Sequence, residues 1–324
     1  MQSVAFYRDQ FEEYLSSGIG DREPRSLYDP MFYILKLGGK RLRPVLTLLS
    51  ADLFGGETKD AFKAAMAVEY FHNFSLIHDD IMDAAPLRRG KITVHKKWDL
   101  NTGILSGDAM LIEAYRYLET YPPDVFKELT VLFSKTAMEV CEGQQYDIDF
   151  ETREEVSVSE YLKMIRYKTA VLVGAAMKMG AITAGASEAD QDKIYNFGLY
   201  LGIAFQLQDD YLDVFGDPKT FGKQTGGDII ENKKTYLYLK AHEQGDAKQA
   251  RELKDLFSIQ PRNTDKKIRR VMEIYDQSGA SEETKRAIAH YTNKAFEFLN
   301  QLDISQEKKD ILLSFGNDLM GRKV

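Results

Sequence analysis

A single cysteine, Cys141, stands in 324 residues. One thiol excludes an internal disulfide and fits a reducing compartment, so the expected location is cytoplasmic. No run reaches the roughly 18 apolar residues that a membrane-spanning helix needs. The opening MQSVAFYRDQFEEYL lacks the basic, apolar, then small layout of a secretory signal. An excess of positive charge is missing too. The net charge of −7 argues against a general affinity for nucleic acid or anionic membrane. Only 8 prolines are present, and with the 23 glycines they mostly punctuate gaps such as TYPPD, GDP and SIQPRNTD. Nowhere does a period of two persist long enough to suggest a strand. Linkers, low-complexity stretches and short repeats are also lacking, so the chain reads as one domain over residues 1–324 and not as a solenoid.

Helical periodicity fills nearly everything else. DAFKAAMAVEYFHNFSLIHDDIMDAA keeps apolar residues at three- and four-residue spacing without glycine or proline. ILSGDAMLIEAYRYLETY, FKELTVLFSKTAMEVCEGQQYDIDF, VSEYLKMIRYKTAVLVGAAMKMGAITAG and DQDKIYNFGLYLGIAFQLQDDYLDVF behave alike, as does DKKIRRVMEIYDQSGASEETKRAIAHYTNKAFEFLNQL. Residues 171–185 are apolar or small nearly all round, with Lys178 the charged exception, which implies burial among other helices. With 44% hydrophobic and 29% charged residues, the expectation is an all-α protein, a single large bundle of roughly ten or more helices.

Two copies of an apolar run ending in Asp-Asp-x-x-Asp interrupt this pattern: SLIHDDIMD with Asp79, Asp80 and Asp83, and FQLQDDYLD with Asp209, Asp210 and Asp213. Residues four apart share a helix face, so Asp79 and Asp83 project together, as do Asp209 and Asp213. Such repulsion weakens an isolated helix unless a cation relieves it. Hard oxygen ligands at this spacing suit Mg²⁺, which shares itself between one or two carboxylates and substrate phosphates. A solvated acidic helix end is the plainer alternative for one copy; two copies after apolar stretches favour facing helices that trap metal and a diphosphate. A transition-metal site at His72 and His78 is disfavoured, because His78 adjoins Asp79 and no Cys or Glu completes a zinc pattern.

Basic residues accompany the acidic motifs. LGGKRLRP sets Lys40, Arg41 and Arg43 behind two glycines, which permit close backbone approach to an anion. PLRRGK places Arg88 and Arg89 just after the first motif, where they could bind phosphate oxygens or form a surface ion-pair network. YKTA puts Lys168 and Thr169 inside an apolar helix, and a lysine there needs a reason. GQQYD adds Gln144 and Asp147 one turn apart, and Lys223 in FGKQTGGD and Lys233 in ENKKTYL follow the second motif.

From GGKRLRP through SLIHDDIMDAAPLRRG and FQLQDDYLD to ENKKTYL, the chain resembles a trans-isoprenyl diphosphate synthase of the polyprenyl synthetase family. The resemblance implies an all-α fold around a deep central cavity, usually in a homodimer. It implies that Asp79, Asp83 and Asp209 ligate a cluster of Mg²⁺ ions, about three per active site. It assigns Arg88, Lys168, Thr169, Gln206, Lys223 and Lys233 to the allylic diphosphate, with Asp79, Asp83, Asp209, Lys168 and Arg88 as the catalytic set. Lys40, Arg43, His72 and Arg89 fall to isopentenyl diphosphate. The implied reaction ionises the allylic diphosphate, joins the cation head-to-tail to isopentenyl diphosphate and eliminates a proton. A terpene cyclase would not need the second basic pocket, and a non-catalytic subunit of a synthase heteromer would be expected to lose metal ligands.

Product length rests on Phe74 and Phe71, five and eight residues before Asp79. At 1.5 Å per residue they lie about 7.5 and about 12 Å down the helix from the metal site. A bulky ring there would act as a floor for the growing chain, although both rings could equally be core. Phe74 beside the small Ser75, with no insertion in DDIMD, resembles family members that make geranylgeranyl diphosphate; farnesyl diphosphate is the alternative.

Overall fold

A computed structural model describes residues 3–216, 225–261 and 263–321. In chain order it contains α1 (Val4–Ser17), α2 (Arg25–Lys36), α3 (Leu42–Leu53) and α4 (Thr58–Met82). A short hairpin follows, β1 (Leu87–Arg88) with β2 (Lys91–Ile92). Then come α5 (Val94–Lys97), α6 (Leu100–Leu118), α7 (Pro123–Thr152), α8 (Val158–Ile165), α9 (Val171–Thr183) and α10 (Glu188–Phe215). The last described helices are α11 (Gly227–Ile230), α12 (Tyr236–Gln244), α13 (Ala247–Leu256), α14 (Asp265–Gln277), α15 (Ala280–Asn300) and α16 (Gln306–Met320).

Local chemistry sets several of these boundaries. Ser3 caps α1 by accepting from Phe6 N, and Asp99 caps α6 by accepting from Thr102 N. Reciprocal capping boxes, Ser157 with Glu160 and Asp246 with Gln249, start α8 and α13. The all-α expectation holds, with two local differences. Residues 87–92 form a hairpin too short to leave a strand-period signal. The helix expected from residue 265 onward breaks at Gly279, whose φ of +81° ends α14 and begins α15. Among the described residues, no helix is long and apolar enough to cross a membrane.

The chain clusters into two compact units, residues 1–137 with 175–195 and residues 138–174 with 196–324. In the first, α4 packs against α3 and α6. Ala61, Ala64 and Ala65 keep one stretch of α4 narrow, while Leu46, Leu48 and Leu49 of α3 and Met110, Ala114 and Leu118 of α6 are buried. Each fully buried leucine contributes about 1.5–3 kcal/mol. Gly180 allows the closest approach in this unit: a Cβ there would meet Thr47 O at 2.1 Å.

In the second unit, α12 packs on α15, and α14 on α13 and α15. Between α8 and α9 the helix widens into a π turn over Arg166–Ala170. Two glycines of α10 press on this region: a Cβ at Gly202 would lie 2.8 Å from Ala170 Cα, and one at Gly198 would lie 3.0 Å from Gly174 Cα. Small residues thus bring α10 against the segment that carries Lys168 and Thr169.

Candidate active site

The first Asp motif closes α4. Asp79 and Asp80 lie in its last turn, and Asp83 is its C-cap, donating its backbone N–H to Asp79 O at 2.8 Å. The partial negative charge of a helix C-terminus adds to that of the carboxylates, so this end of α4 attracts cations. One is built in. The hairpin returns Arg88 to Asp80, donating Nε at 3.0 Å and Nη2 at 2.5 Å to Oδ1. Asp80 is only 1% exposed, and its Oδ2 has no hydrogen-bond partner. Ala84 and Arg89, both with positive φ, make the tight turns that this return requires.

Around the paired glycines, the expected isopentenyl diphosphate group assembles. Gly39 has φ of +135°, and a Cβ there would sit 2.8 Å from Arg89 Cζ. Arg89 Nη1 donates to Gly38 O. Arg43 Nη1 lies 3.4 Å from His72 Nε2, and the buried Arg43 Nε has no partner. Burial, then the charges of Arg43, Arg89, Arg88 and Arg41, hold the His72 imidazole well below the usual histidine range. His72 is therefore neutral. Burial likewise lowers Arg43 and Arg89, with buried Glu69 opposing the shift in both. Lys40 projects from the same loop and is exposed.

Of the expected allylic diphosphate residues, Lys168, Thr169, Gln206 and Lys233 belong to the second unit, whereas Arg88 belongs to the first. Lys168 Nζ pairs with Asp147 at 2.5 Å. Thr169 Oγ1 donates to Gln206 Oε1 at 3.2 Å, and Gln206 Nε2 donates to Asp210 Oδ1 at 3.0 Å. Tyr161 OH also donates to Asp210. Burial and the charge of Asp228 push Asp210 up to about 8 despite these two donors. Burial raises the Tyr161 phenol as well, with Asp210 adding to the effect. Asp213 accepts from Asp228 N at 3.0 Å and so fixes the start of α11. Lys233 pairs with Glu231 at 2.8 Å; burial opposes its charge, but Glu231, Asp228 and Asp147 outweigh that and raise its pKa. Lys223 lies outside the described residues.

Sequence reasoning passed over Asp228, Tyr161 and Glu69. Asp228 carried a usable signal, an acid following TGG shortly after the second motif. Tyr161 and Glu69 carried none, because each acts on a residue distant in sequence. Of the two candidate floor residues, Phe71 is fully enclosed, with its ring 5.4 Å from that of Phe133. Phe74 retains exposed surface and packs 5.5 Å from Phe71 and 4.8 Å from His78. Ser75 Oγ donates to His72 O at 2.9 Å.

Among the described residues, no three His, Cys, Asp or Glu side chains converge into a cage of their own. The donor set fits Mg²⁺ nonetheless, since that ion takes few carboxylates and fills its octahedron with water and phosphate oxygens. The unpartnered Asp80 Oδ2 leaves a carboxylate oxygen open to a cation, and Asp210, raised first by burial and then by the charge of Asp228, lies beside further negative charge.

The profile of the polyprenyl synthetase family matches residues 24–275. The chain belongs to this family. A short chain isoprenyl diphosphate synthase from Methanothermobacter thermautotrophicus is 35% identical over 314 residues, 97% of this chain and 96% of its own. A geranylgeranyl pyrophosphate synthase from Geoglobus acetivorans is 44% identical over 227 residues, 69% of this chain and 71% of its own. Among solved structures, a geranylgeranyl pyrophosphate synthase is 57% identical and superposes with a TM-score of 0.96, covering 100% of both chains. This polyprenyl synthetase has the helical isoprenoid synthase fold of those prenyl synthases.

Proposed function

We propose that this polyprenyl synthetase is a head-to-tail trans-prenyltransferase that condenses isopentenyl diphosphate with an allylic diphosphate and releases geranylgeranyl diphosphate. One observation carries the reading: both Asp motifs are whole, and a separate basic cluster sets Arg89 against Gly38–Gly39 and Arg43 beside His72. A second anion pocket is what a condensation of two diphosphates needs and a cyclisation does not.

Asp79, Asp83 and Asp209 would hold Mg²⁺, which when bound neutralises the allylic diphosphate and makes it a good leaving group. Arg88, Lys168, Thr169, Gln206, Lys223 and Lys233 grip the same diphosphate and stabilise the negative charge that grows as its carbon–oxygen bond breaks. Arg88 is held for this by Asp80, and Lys168 by Asp147. Lys40, Arg43 and Arg89 bind the diphosphate of isopentenyl diphosphate, and neutral His72 adds a hydrogen bond without a charge to desolvate. The allylic cation alkylates the isopentenyl double bond, and the released pyrophosphate takes the proton. Apolar side chains exclude the water that would quench the cation. No protein nucleophile is required. Phe74, the ring with free surface, stops the chain at the geranylgeranyl length.

Assembly as a homodimer is supported by an apolar row on α6. Leu100, Ile104 and Ile112 recur on one face beside Leu105, and each is 41–59% exposed. Val131 and Met138 of α7 are exposed as well.

The deciding experiment incubates purified protein with Mg²⁺, labelled isopentenyl diphosphate and each allylic diphosphate in turn. Label in a geranylgeranyl product, lost on chelation and in Asp79→Asn and Asp209→Asn, is expected. A folded protein that incorporates no label would overturn the proposal.

A further inference from the structure

Arg41 stands between the two residues assigned to the isopentenyl diphosphate pocket, Lys40 and Arg43, and shares their charge. Its surroundings are different. It is 4% exposed, whereas Lys40 is exposed. Its Nε donates to Glu12 at 2.7 Å, its Nη1 to Glu69 at 2.5 Å, and its Nη2 to Leu35 O. Every nitrogen of the guanidinium is thus engaged by protein, on α1, α4 and the last turn of α2. No face is left for a substrate.

The backbone of Arg41 is unusual in the same way. With φ of +48° and ψ of +34° it occupies the left-handed region, which a side chain bearing Cβ rarely adopts, and it does so as the N-cap of α3. Such a conformation persists where the surroundings over-determine it. The three guanidinium contacts supply that determination, and they come from elements that precede and follow the loop.

Glu69 is itself 2% exposed and is fixed on its other side by Asn73, whose Nδ2 donates to Glu69 Oε1 at 2.9 Å and to Glu69 O at 2.8 Å. It also acts electrostatically on Arg43 and Arg89, opposing the effect of burial on both. One buried carboxylate therefore serves three arginines, two of them facing the pocket and one locked beneath it.

We infer that Arg41 is a positioning residue: its fork onto Glu12 and Glu69 holds the left-handed turn that aims Lys40 and Arg43 at the diphosphate of isopentenyl diphosphate, while Arg41 itself touches no substrate. The inference rests on the condensation reading above. Lysine cannot replace the fork, since one ammonium does not span two carboxylates and a carbonyl in fixed planar geometry.

The test measures KM for isopentenyl diphosphate and for the allylic diphosphate separately, with a thermal melt on every variant. Arg41→Lys keeps the charge and is expected to raise KM for isopentenyl diphosphate at least tenfold while KM for the allylic diphosphate changes less than twofold. Glu69→Gln discriminates by sign. If Glu69 only dilutes the positive field of the pocket, removing its charge will lower KM for isopentenyl diphosphate; if it anchors Arg41, KM will rise. Glu12→Gln, at a side chain 40% exposed, keeps the fold in hand and is expected to raise the same KM about threefold. Unchanged or lowered KM for isopentenyl diphosphate in folded variants, or equal rises for both substrates, would overturn the inference. Absence of label incorporation by the wild-type protein would instead overturn the condensation reading, so the two failures are separable.

Discussion

At the residue scale, the first Asp motif divides its labour. Asp79 and Asp83 are the proposed metal ligands, while Asp80 is turned inward to Arg88. Asp80→Asn and Arg88→Lys should each lower kcat/KM for the allylic diphosphate by about tenfold, or ~1.4 kcal/mol. Because the two residues act as a unit, the double variant should fall well short of a hundredfold loss in steady-state kinetics. The sequence showed both residues but not their pairing: an acid and an arginine eight positions apart meet only because Ala84 and the hairpin reverse the chain. Phe74 is the other single residue with a large consequence. Its neighbour Phe71 is enclosed, so Phe74→Ala should open the floor and lengthen the product, read by chromatography of the hydrolysed prenols.

At the element scale, α4 was legible nearly to its ends, because an uninterrupted apolar period over Thr58–Met82 has no competing interpretation. The π turn was not. Its five residues, Arg166–Ala170, satisfy a helical pattern as well as any others, and the widening is imposed from outside, by close neighbours. Gly143 of α7 is one of these neighbours: a Cβ there would lie 2.2 Å from Lys168 N and 2.7 Å from its Cα. Backbone cannot rotate away as a side chain can. Gly143→Ala should therefore cost ~1–3 kcal/mol in denaturant unfolding and also reduce kcat, since the displaced atoms belong to Lys168. The break at Gly279 was available in the sequence as a Ser-Gly pair inside the long pattern, and the strength of the flanking periodicity masked it.

For the whole molecule, charge and surface make two further predictions. Folded His72 stays unprotonated at pH values where an exposed histidine near 6.5 takes up a proton. The unfolded chain then binds more protons than the folded one, so this residue makes stability fall as pH drops below about 6.5. His72→Gln should flatten that fall in melting temperatures followed from about pH 7.5 to about pH 5.5. On the exterior, Ile112→Asp should convert the proposed dimer into a folded monomer, as read by light scattering on a sizing column. Charge in the α6 row is tolerated by a lone chain and not by a desolvated interface. All-α class, family and both Asp motifs could be read from residue order alone. What could not be read is the buried pairing of Arg41 with Glu69 and of Tyr161 with Asp210, because each meets its partner through folding and not through spacing.

The π turn has a consequence for how this scaffold can change. A helix carrying one surplus residue over a single turn lets the segments on either side keep their own registers. The five positions from Arg166 to Ala170 therefore behave like a swivel in a rigid rod: substitutions there can re-aim an ammonium and a hydroxyl while the packed surfaces of α8 and α9 stay in place.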